Sequence, residues 1–188
     1  KAMKIPKILG ETFAYKSPRT QVKRIQLQFG NTAPVEWEYP EVPDGVNAVP
    51  ILPNGDVILV REWRSAWRQS ILQIPGGNCI STKEIDLVSQ IHRELKEEIG
   101  MDARKITKLI AYAGVAGIHK ILHIYLATDL YTFVVKKKKE DEHEYIDIVT
   151  MPLQEALDLF ISGREFTTSY TIIGLLLAQQ FLLKNRTY

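Results

Sequence analysis

Hydrophobic and polar residues alternate through much of the first third of the chain, which is the spacing expected of β-strands. The alternation is clear in residues 24–29 (RIQLQF) and again in residues 35–40 (PVEWEY). Two further apolar segments, residues 46–52 and 57–63, flank the sequence PNGD, whose Asn-Gly pair is typical of a hairpin turn. This part of the chain therefore predicts two strands followed by a β-hairpin.

The pattern changes to a helical period from about Ser81 or Thr82, and Gly100 supplies a stop signal. Apolar residues recur there at spacings of three and four, at Leu87, Val88, Ile91, Leu95 and Ile99. Further strands are predicted at residues 71–75, 108–115, 121–130 and 145–151, and further helices at 153–163 and 171–184. Strands on both sides of one central helix predict an α/β fold, in which a mixed sheet packs between helices as an α/β/α sandwich after a small antiparallel sheet.

Three carboxylates lie within five positions of the predicted central helix, in the sequence HRELKEEIG (92–100). On a helical wheel Glu98 falls at the edge of the apolar arc, and Glu94 and Glu97 flank it on one side. A half-buried glutamate needs a counter-charge, and Arg93 can pair with Glu97 at i+4 without neutralising all three. Two interpretations remain, a glutamate-rich solvated helix face and a site for a hard divalent cation such as Mg²⁺ or Mn²⁺.

The composition of the 188 residues is that of an ordinary globular protein, with 45% hydrophobic residues and a formal net charge of +2. Neither value indicates a nucleic-acid partner or an anionic membrane. The longest apolar stretch, residues 171–183, is interrupted by Gln179 and Gln180, so it predicts a packed helix and not a membrane span. The single cysteine, Cys79, fits a reducing cytoplasm.

The sequence PGG (75–77), followed by a helix with REL-x-EE-x-G-M (93–101), resembles the Nudix box of hydrolases that act on nucleoside diphosphate derivatives. The second half of the box is intact. The first half departs from the family pattern, because the expected glutamate and glycine fall at Ile85 and Cys79. The loop is two residues longer than usual, and Glu84 is the candidate to replace the glutamate that braces this loop in the family.

Nearly the whole chain resembles the ADP-ribose pyrophosphatase branch of the Nudix superfamily. The likeness is clearest in VILVREWR (57–64), which leads into LQIPGG (72–77), and in EHEYIDIVTMPLQEALDLFISG (142–163). The resemblance implies a Nudix-type catalytic domain over residues 45–188. It also implies that residues 1–44 form an antiparallel sheet of the kind that relatives exchange between the subunits of a homodimer.

The resemblance implies a magnesium site on the central helix, with Mn²⁺ as the alternative ion. Glu94 and Glu98 would be its first ligands, with Glu97 and the main-chain carbonyl of Gly76 beside them. Arg93 would orient the glutamates. An ordinary i+4 ion pair is compatible with that role.

Further roles are implied outside the box. Glu144 falls at the position of the family's general base, with Glu142 as the second candidate; a solvated acidic loop is the structural alternative. Arg64 corresponds to an arginine that holds a substrate phosphate, and Trp37 to an aromatic residue that stacks on adenine. A surface arginine and a core or interface tryptophan are the alternatives for these two.

The function implied is Mg²⁺-dependent hydrolysis of a small-molecule nucleoside diphosphate sugar, with ADP-ribose giving AMP and ribose 5-phosphate. One alternative is the same chemistry on another nucleoside diphosphate sugar such as GDP-mannose. The other is a catalytically silent Nudix module that binds a nucleotide.

Overall fold

The computed structural model describes residues 5–18, 20–79, 81–133 and 145–185. They form two compact units. The first contains the described residues up to Pro43 together with Ala113–Ile121. The second contains Asp44–Tyr112, apart from residue 80, and the described residues from Leu122 onward.

An antiparallel sheet makes up most of the first unit, with strands β1 (Lys7–Lys16), β2 (Gln21–Gln28) and β3 (Val35–Glu41). The sequence pattern predicts the second and third strands but not β1, all of whose residues are exposed. A strand that buries neither face carries no regular apolar alternation, which is why the pattern misses it. The exchange of this sheet between subunits stays a prediction.

The second unit contains the three helices that the described residues form. In chain order its elements are β4 (Asp44–Pro50), β5 (Asp56–Arg64), β6 (Gln69–Gln73), β7 (Gly76–Cys79), α1 (Glu84–Ile99), β8 (Met101–Val115), β9 (Ile118–Thr132), β10 (Ile146–Pro152), α2 (Leu153–Ile161) and α3 (Ser169–Asn185). Residues 113–121, at the junction of β8 and β9, belong to the first unit.

Two sheets form the centre of the second unit. In one, β4 runs parallel to β9 and antiparallel to β7, and β8 pairs with β9. In the other, β5 lies between β10 and β6, antiparallel to both. Successive strand residues face opposite ways: Leu59 belongs to the hydrophobic cluster that includes α2 and α3, and Val60 to the cluster that includes α1. The sheets therefore lie between helices, as the predicted α/β/α sandwich requires.

Helix α1 forms as the apolar spacing predicts. Its buried residues are Leu87, Ile91, Leu95 and Ile99. Gly100 follows in the left-handed conformation with φ 64°, and its N–H donates to the carbonyl of Leu95. A glycine adopts this conformation without the steric cost of a side chain, so it ends the helix where the sequence indicates.

The predicted hairpin between β4 and β5 is wrong. The turn at residues 53–56 forms, and Leu52 N–H donates to the Asp56 carbonyl. Beyond one isolated bridge between Ile51 and Val57, the two strands separate into different sheets. Both strands are buried over most of their length, and each has a partner strand on both edges, so neither edge remains for a hairpin pairing.

No helix in the described part of the chain is long and apolar enough to cross a membrane. Helix α3, which contains the longest apolar stretch, packs into the core as predicted. It buries Thr171, Gly174, Leu175 and Ala178. A Cβ on Gly174 would lie 3.1 Å from both Ile74 and Val49, so the helix approaches the sheets closely at this point.

Candidate active site

Gly76 and Gly77 begin strand β7, and a Cβ at either position would lie closer than 3.0 Å to a neighbouring atom. A Cβ on Gly76, which has φ 156°, would lie 2.3 Å from the main-chain oxygen of Val46. A Cβ on Gly77 would lie 2.5 Å from Oε1 of Glu94. The two glycines therefore let the backbone of β7 come close to β4 and to a glutamate of α1.

Glu98 lies partly buried on α1, and its Oε2 accepts a hydrogen bond from the N–H of Gly76 at 3.0 Å. The pKa of Glu98 is raised to about 8, chiefly by burial and then by the negative charges of Glu94 and, less strongly, Glu62. The Gly76 N–H and the positive charge of Arg64 oppose this shift. A cation bound beside Glu98 would favour the ionised carboxylate and reverse the shift.

Glu94 and Glu97 differ in exposure and share one arginine. The Glu94 side chain is 12% exposed, and it accepts hydrogen bonds from Gln90 and from Nη2 of Arg93, the latter at 3.2 Å. Glu97 is 46% exposed, and its Oε2 lies 4.0 Å from Nε of Arg93. The predicted i+4 pair between Arg93 and Glu97 is present, and Arg93 contacts Glu94 as well.

Arg64, at the end of β5, belongs to the same group of charges. Its Nη2 lies 2.8 Å from Oε2 of Glu62, and both residues act electrostatically on Glu98. The sequence pattern does not single out Glu62. Its position two residues before Arg64 is the signal that could have identified it, because residues i and i+2 of a strand point to the same face.

Glu84 holds the start of α1 against two strands. Its Oε1 accepts a hydrogen bond from the Tyr125 hydroxyl at 2.7 Å, and its Oε2 pairs with Lys108. The hydrogen bonds from Lys108 and then Tyr125 lower the pKa of Glu84, against the smaller effect of burial. Ile85, where the family pattern places a glutamate, is 71% exposed. The contacts of Glu84 are those that a residue bracing the helix start would make.

Three predicted site residues are not among these described residues of the second unit. Trp37 belongs to β3 of the first unit, where it is 60% exposed. Glu142 and Glu144 lie outside the described residues, so the general base stays a prediction. The residues that the structure brings together are Gly76, Glu94, Glu98, Arg64 and Glu62, with Arg93 and Glu97 at the outer edge.

The chemistry of this group suits a hard cation. Within the described ranges, no group of three or more His, Cys, Asp or Glu side chains is arranged so that it could hold a metal ion. Glu94 and Glu98 nevertheless lie close enough for the charge of one to raise the pKa of the other. Hard divalent cations prefer oxygen ligands, so these two carboxylates and the Gly76 carbonyl are the donors that such an ion would use.

A mixed sheet between helices, with a glutamate-rich helix following a Gly-Gly strand, defines a hydrolase of the Nudix class. The NUDIX domain matches residues 42–170 of the sequence, and the chain belongs to this family. The resemblance found in the sequence is therefore confirmed.

Three comparisons indicate the branch of the family. The chain is 29% identical to the ADP-ribose pyrophosphatase of Bacillus subtilis over 154 residues, 80% of each chain. It is 30% identical to the GDP-mannose pyrophosphatase of Yersinia enterocolitica over 134 residues, 66% of this chain and 69% of that one. A crystal structure of an ADP compounds hydrolase matches with a TM-score of 0.84 and 25% identity, covering 100% of this chain and 98% of that chain. The chain is thus a Nudix hydrolase of the ADP-ribose pyrophosphatase-like branch, and the predicted fold class is confirmed.

Proposed function

We propose that this chain hydrolyses the diphosphate bond of a nucleoside diphosphate sugar with Mg²⁺ as its cofactor and Mn²⁺ as the alternative ion. The observation that carries the proposal is the Glu98 carboxyl group, which is held by the Gly76 N–H beside Glu94 and has its pKa raised to about 8. Clustered carboxylates of this kind suit a divalent cation that meets the phosphate oxygens of a substrate.

ADP-ribose is the first substrate to test, with AMP and ribose 5-phosphate as products. Two similar proteins favour it, one named ADP-ribose pyrophosphatase and the other ADP compounds hydrolase. The relative named GDP-mannose pyrophosphatase favours GDP-mannose as the second candidate.

The box residues would hold the ion and fix its position. Bound magnesium would neutralise phosphate charge and so make the phosphorus easier for water to attack. Glu94, Glu98 and the Gly76 carbonyl would be its main ligands, with Glu97 at the exposed edge. Arg93 would orient Glu94 and Glu97 through its contacts with both.

Other residues would bind the substrate and remove a proton from water. Arg64 would hold a phosphate, because its planar guanidinium can donate two parallel hydrogen bonds to phosphate oxygens. Glu144, or Glu142 as the second candidate, would accept the proton of the attacking water. Trp37 would stack on the base through its exposed ring.

We also propose that the chain forms a homodimer through its first unit. Phe13 and Trp37, on β1 and β3, are 48% and 60% exposed. Large apolar side chains exposed together on a sheet are typical of an interaction surface. A second copy of the same sheet is the partner that the family resemblance implies.

The test is phosphate release from a panel of nucleoside diphosphate derivatives, measured with and without Mg²⁺ in the presence of alkaline phosphatase. Hydrolysis converts the phosphatase-resistant diphosphate into two phosphate monoesters that the phosphatase can cleave. We expect ADP-ribose to give the highest rate, and only with the metal. A higher rate with GDP-mannose would select the second candidate. No release from any substrate would identify a catalytically silent Nudix module and refute the proposal.

A further inference from the structure

A chain of side-chain contacts leads from helix α3 to Arg64. The Tyr170 hydroxyl donates to Oε1 of Gln73 at 2.8 Å. Nε2 of Gln73 donates to Oε2 of Glu62 at 3.2 Å, and the same oxygen lies 2.8 Å from Nη2 of Arg64. Each contact fixes the group on which the next one depends.

The surroundings of this chain make it firmer than an ordinary surface ion pair. Gln73 is 1% exposed, and the Glu62 side chain is 13% exposed, whereas that of Arg64 is 36% exposed. The Gln73 amide has a partner at both its oxygen and its nitrogen, so its orientation is determined. Exposed ion pairs contribute little because their side chains must be ordered, but here buried neighbours already order Glu62.

The three supporting residues lie on regular elements of the second unit. Glu62 belongs to β5, Gln73 to β6 and Tyr170 to α3. Next to Tyr170, the Thr171 hydroxyl accepts a hydrogen bond from the N–H of Ile74 at 3.2 Å, which fixes the start of α3 against the end of β6. Groups supported by regular elements hold their positions better than groups on loops.

Arg64 can still donate hydrogen bonds to a phosphate while it contacts Glu62. The contact uses Nη2, and a guanidinium group has five N–H donors. The positive charge of Arg64 also reaches Glu98 and Tyr170, whose pKa values it lowers against the dominant effect of burial. Val60 packs in the hydrophobic cluster that includes α1, and residues 60, 62 and 64 of β5 face the same side, so Arg64 lies on the side of β5 that faces α1.

We infer that Glu62 is a positioning residue that holds the Arg64 guanidinium in place to bind the diphosphate of the substrate, with Gln73 and Tyr170 supporting Glu62 from behind. The inference rests on the proposed function, since it presumes that a diphosphate binds at Arg64. Glu62 acts through Arg64 and not on the reacting atoms. Its removal should therefore weaken substrate binding more than it slows the chemical step.

The first test is a double-mutant cycle of Glu62→Ala and Arg64→Ala, measured by steady-state kinetics at saturating Mg²⁺. Glu62→Ala should raise KM by about tenfold, the equivalent of one hydrogen-bonded contact, with kcat within about threefold of wild type. In the Arg64→Ala background, Glu62→Ala should add almost nothing, because the group that it positions is already absent. Glu62→Gln preserves the shape of the side chain and should give an intermediate KM.

Two further variants distinguish positioning from a general loss of structure. Tyr170→Phe, which removes only the far end of the chain, should raise KM in the same direction by about threefold. Glu165→Ala is the matched control. Its carboxylate binds Arg61, one residue from Glu62 along β5, through contacts of 3.0 and 3.1 Å. Because adjacent strand residues face opposite sides, this control should leave KM unchanged.

Additive effects of Glu62→Ala and Arg64→Ala on KM would overturn the inference. The inference would also be overturned if Glu62→Ala changed the Mg²⁺ concentration that gives the half-maximal rate but left KM unchanged. Glu62 would then act on the metal ligands. Either result would leave the proposed function intact.

If no substrate is hydrolysed, the proposed function is refuted. The positioning of Arg64 by Glu62 can still be tested by a measurement that does not need turnover. The guanidinium NMR signal of Arg64, identified by its loss in Arg64→Lys, should be protected from solvent exchange in the wild type. Tyr170→Phe and Glu62→Gln should both reduce that protection. An unchanged Arg64 signal in both variants would overturn the inference.

Discussion

The main-chain N–H of Gly76 donates a hydrogen bond to Oε2 of Glu98 at 3.0 Å, and this contact connects the first residue of β7 to α1. It brings a backbone that has no room for a side chain next to a carboxyl group whose pKa is raised to about 8, chiefly by burial. A buried carboxyl group is costly to ionise without a counter-charge. The group is therefore better suited to binding a cation than to stabilising the fold.

The hydrogen bond between Tyr125 and Glu84 should contribute to stability. Tyr125 is 1% exposed, and its hydroxyl reaches Glu84 at 2.7 Å. Tyr125→Phe should lower the free energy of unfolding by about 1 kcal/mol, measured by urea denaturation, because Glu84 loses a buried donor. Tyr145→Phe, at a side chain that is 84% exposed, is the control. Equal unfolding midpoints for the two variants would show that the contact adds nothing.

Asp102 should make stability depend on acid pH. Burial would raise its pKa, but hydrogen bonds from His92, Lys96, the Ala103 N–H and Tyr131 outweigh burial and lower the pKa from 3.8 to about 2. A lowered carboxyl pKa stabilises the fold above the unfolded-state value, and this stabilisation is lost as the pH falls through the folded-state value. A shift of this size corresponds to about 2 kcal/mol at neutral pH.

Asp102→Asn is the variant that measures this contribution. Its free energy of unfolding should lie below that of the wild type at neutral pH, and the difference should shrink between the two pKa values, 3.8 and about 2. If the difference in free energy of unfolding between Asp102→Asn and wild type stayed constant down to the lower pKa, the lowered pKa of Asp102 would be contradicted.

The first unit should associate with a second copy. Light scattering at micromolar concentration should give the mass of a homodimer, because exposed residues such as Phe13 and Trp37 leave the sheet without cover of its own. Trp37→Ser should shift the equilibrium toward monomer, whereas Trp67→Ser, at a 62% exposed tryptophan of the second unit, should not. A wild-type monomer at this concentration would refute the prediction and leave Trp37 without a second copy of the sheet to contact.

The general base is predicted from the sequence alone, since Glu142 and Glu144 lie outside the described residues. Carboxylates that bind cations are poor proton acceptors, so the base should lie outside the box. Glu144→Gln should reduce turnover by about 10²- to 10⁴-fold and leave substrate affinity within a fewfold, whereas Glu140→Gln should do little. A large loss in Glu142→Gln with a mild effect of Glu144→Gln would move the role to Glu142. Full activity in both variants would place the base elsewhere.

Local patterns in the sequence were sufficient to predict helix α1. The period of Leu87, Ile91, Leu95 and Ile99 defines its buried face, and Gly100 marks its end, because both signals depend on neighbours within a few residues. The same geometry indicates that Glu98 points toward the apolar face while Glu97 remains exposed. This half of the candidate site follows from helical spacing.

Contacts between distant segments could not be predicted in this way. The Asn-Gly turn before β5 indicates a hairpin, yet β4 pairs with β9 and β7 instead, and no local signal records those partners. Glu62 likewise has its role only because Gln73 on another strand and Tyr170 on α3 lie behind it. Because these residues are far apart in the sequence, their contacts could not be predicted without the fold.

The most direct measurement of the central claim is the turnover of Glu98→Gln on ADP-ribose at saturating Mg²⁺. Loss of one metal ligand should lower kcat by about a hundredfold or more, because charge stabilisation of the transition state is lost. Glu155→Gln, at an exposed position of α2, should retain wild-type activity. Circular dichroism should show that both variants remain folded. Near-normal turnover in folded Glu98→Gln would contradict the assignment of the catalytic site to the glutamates of α1.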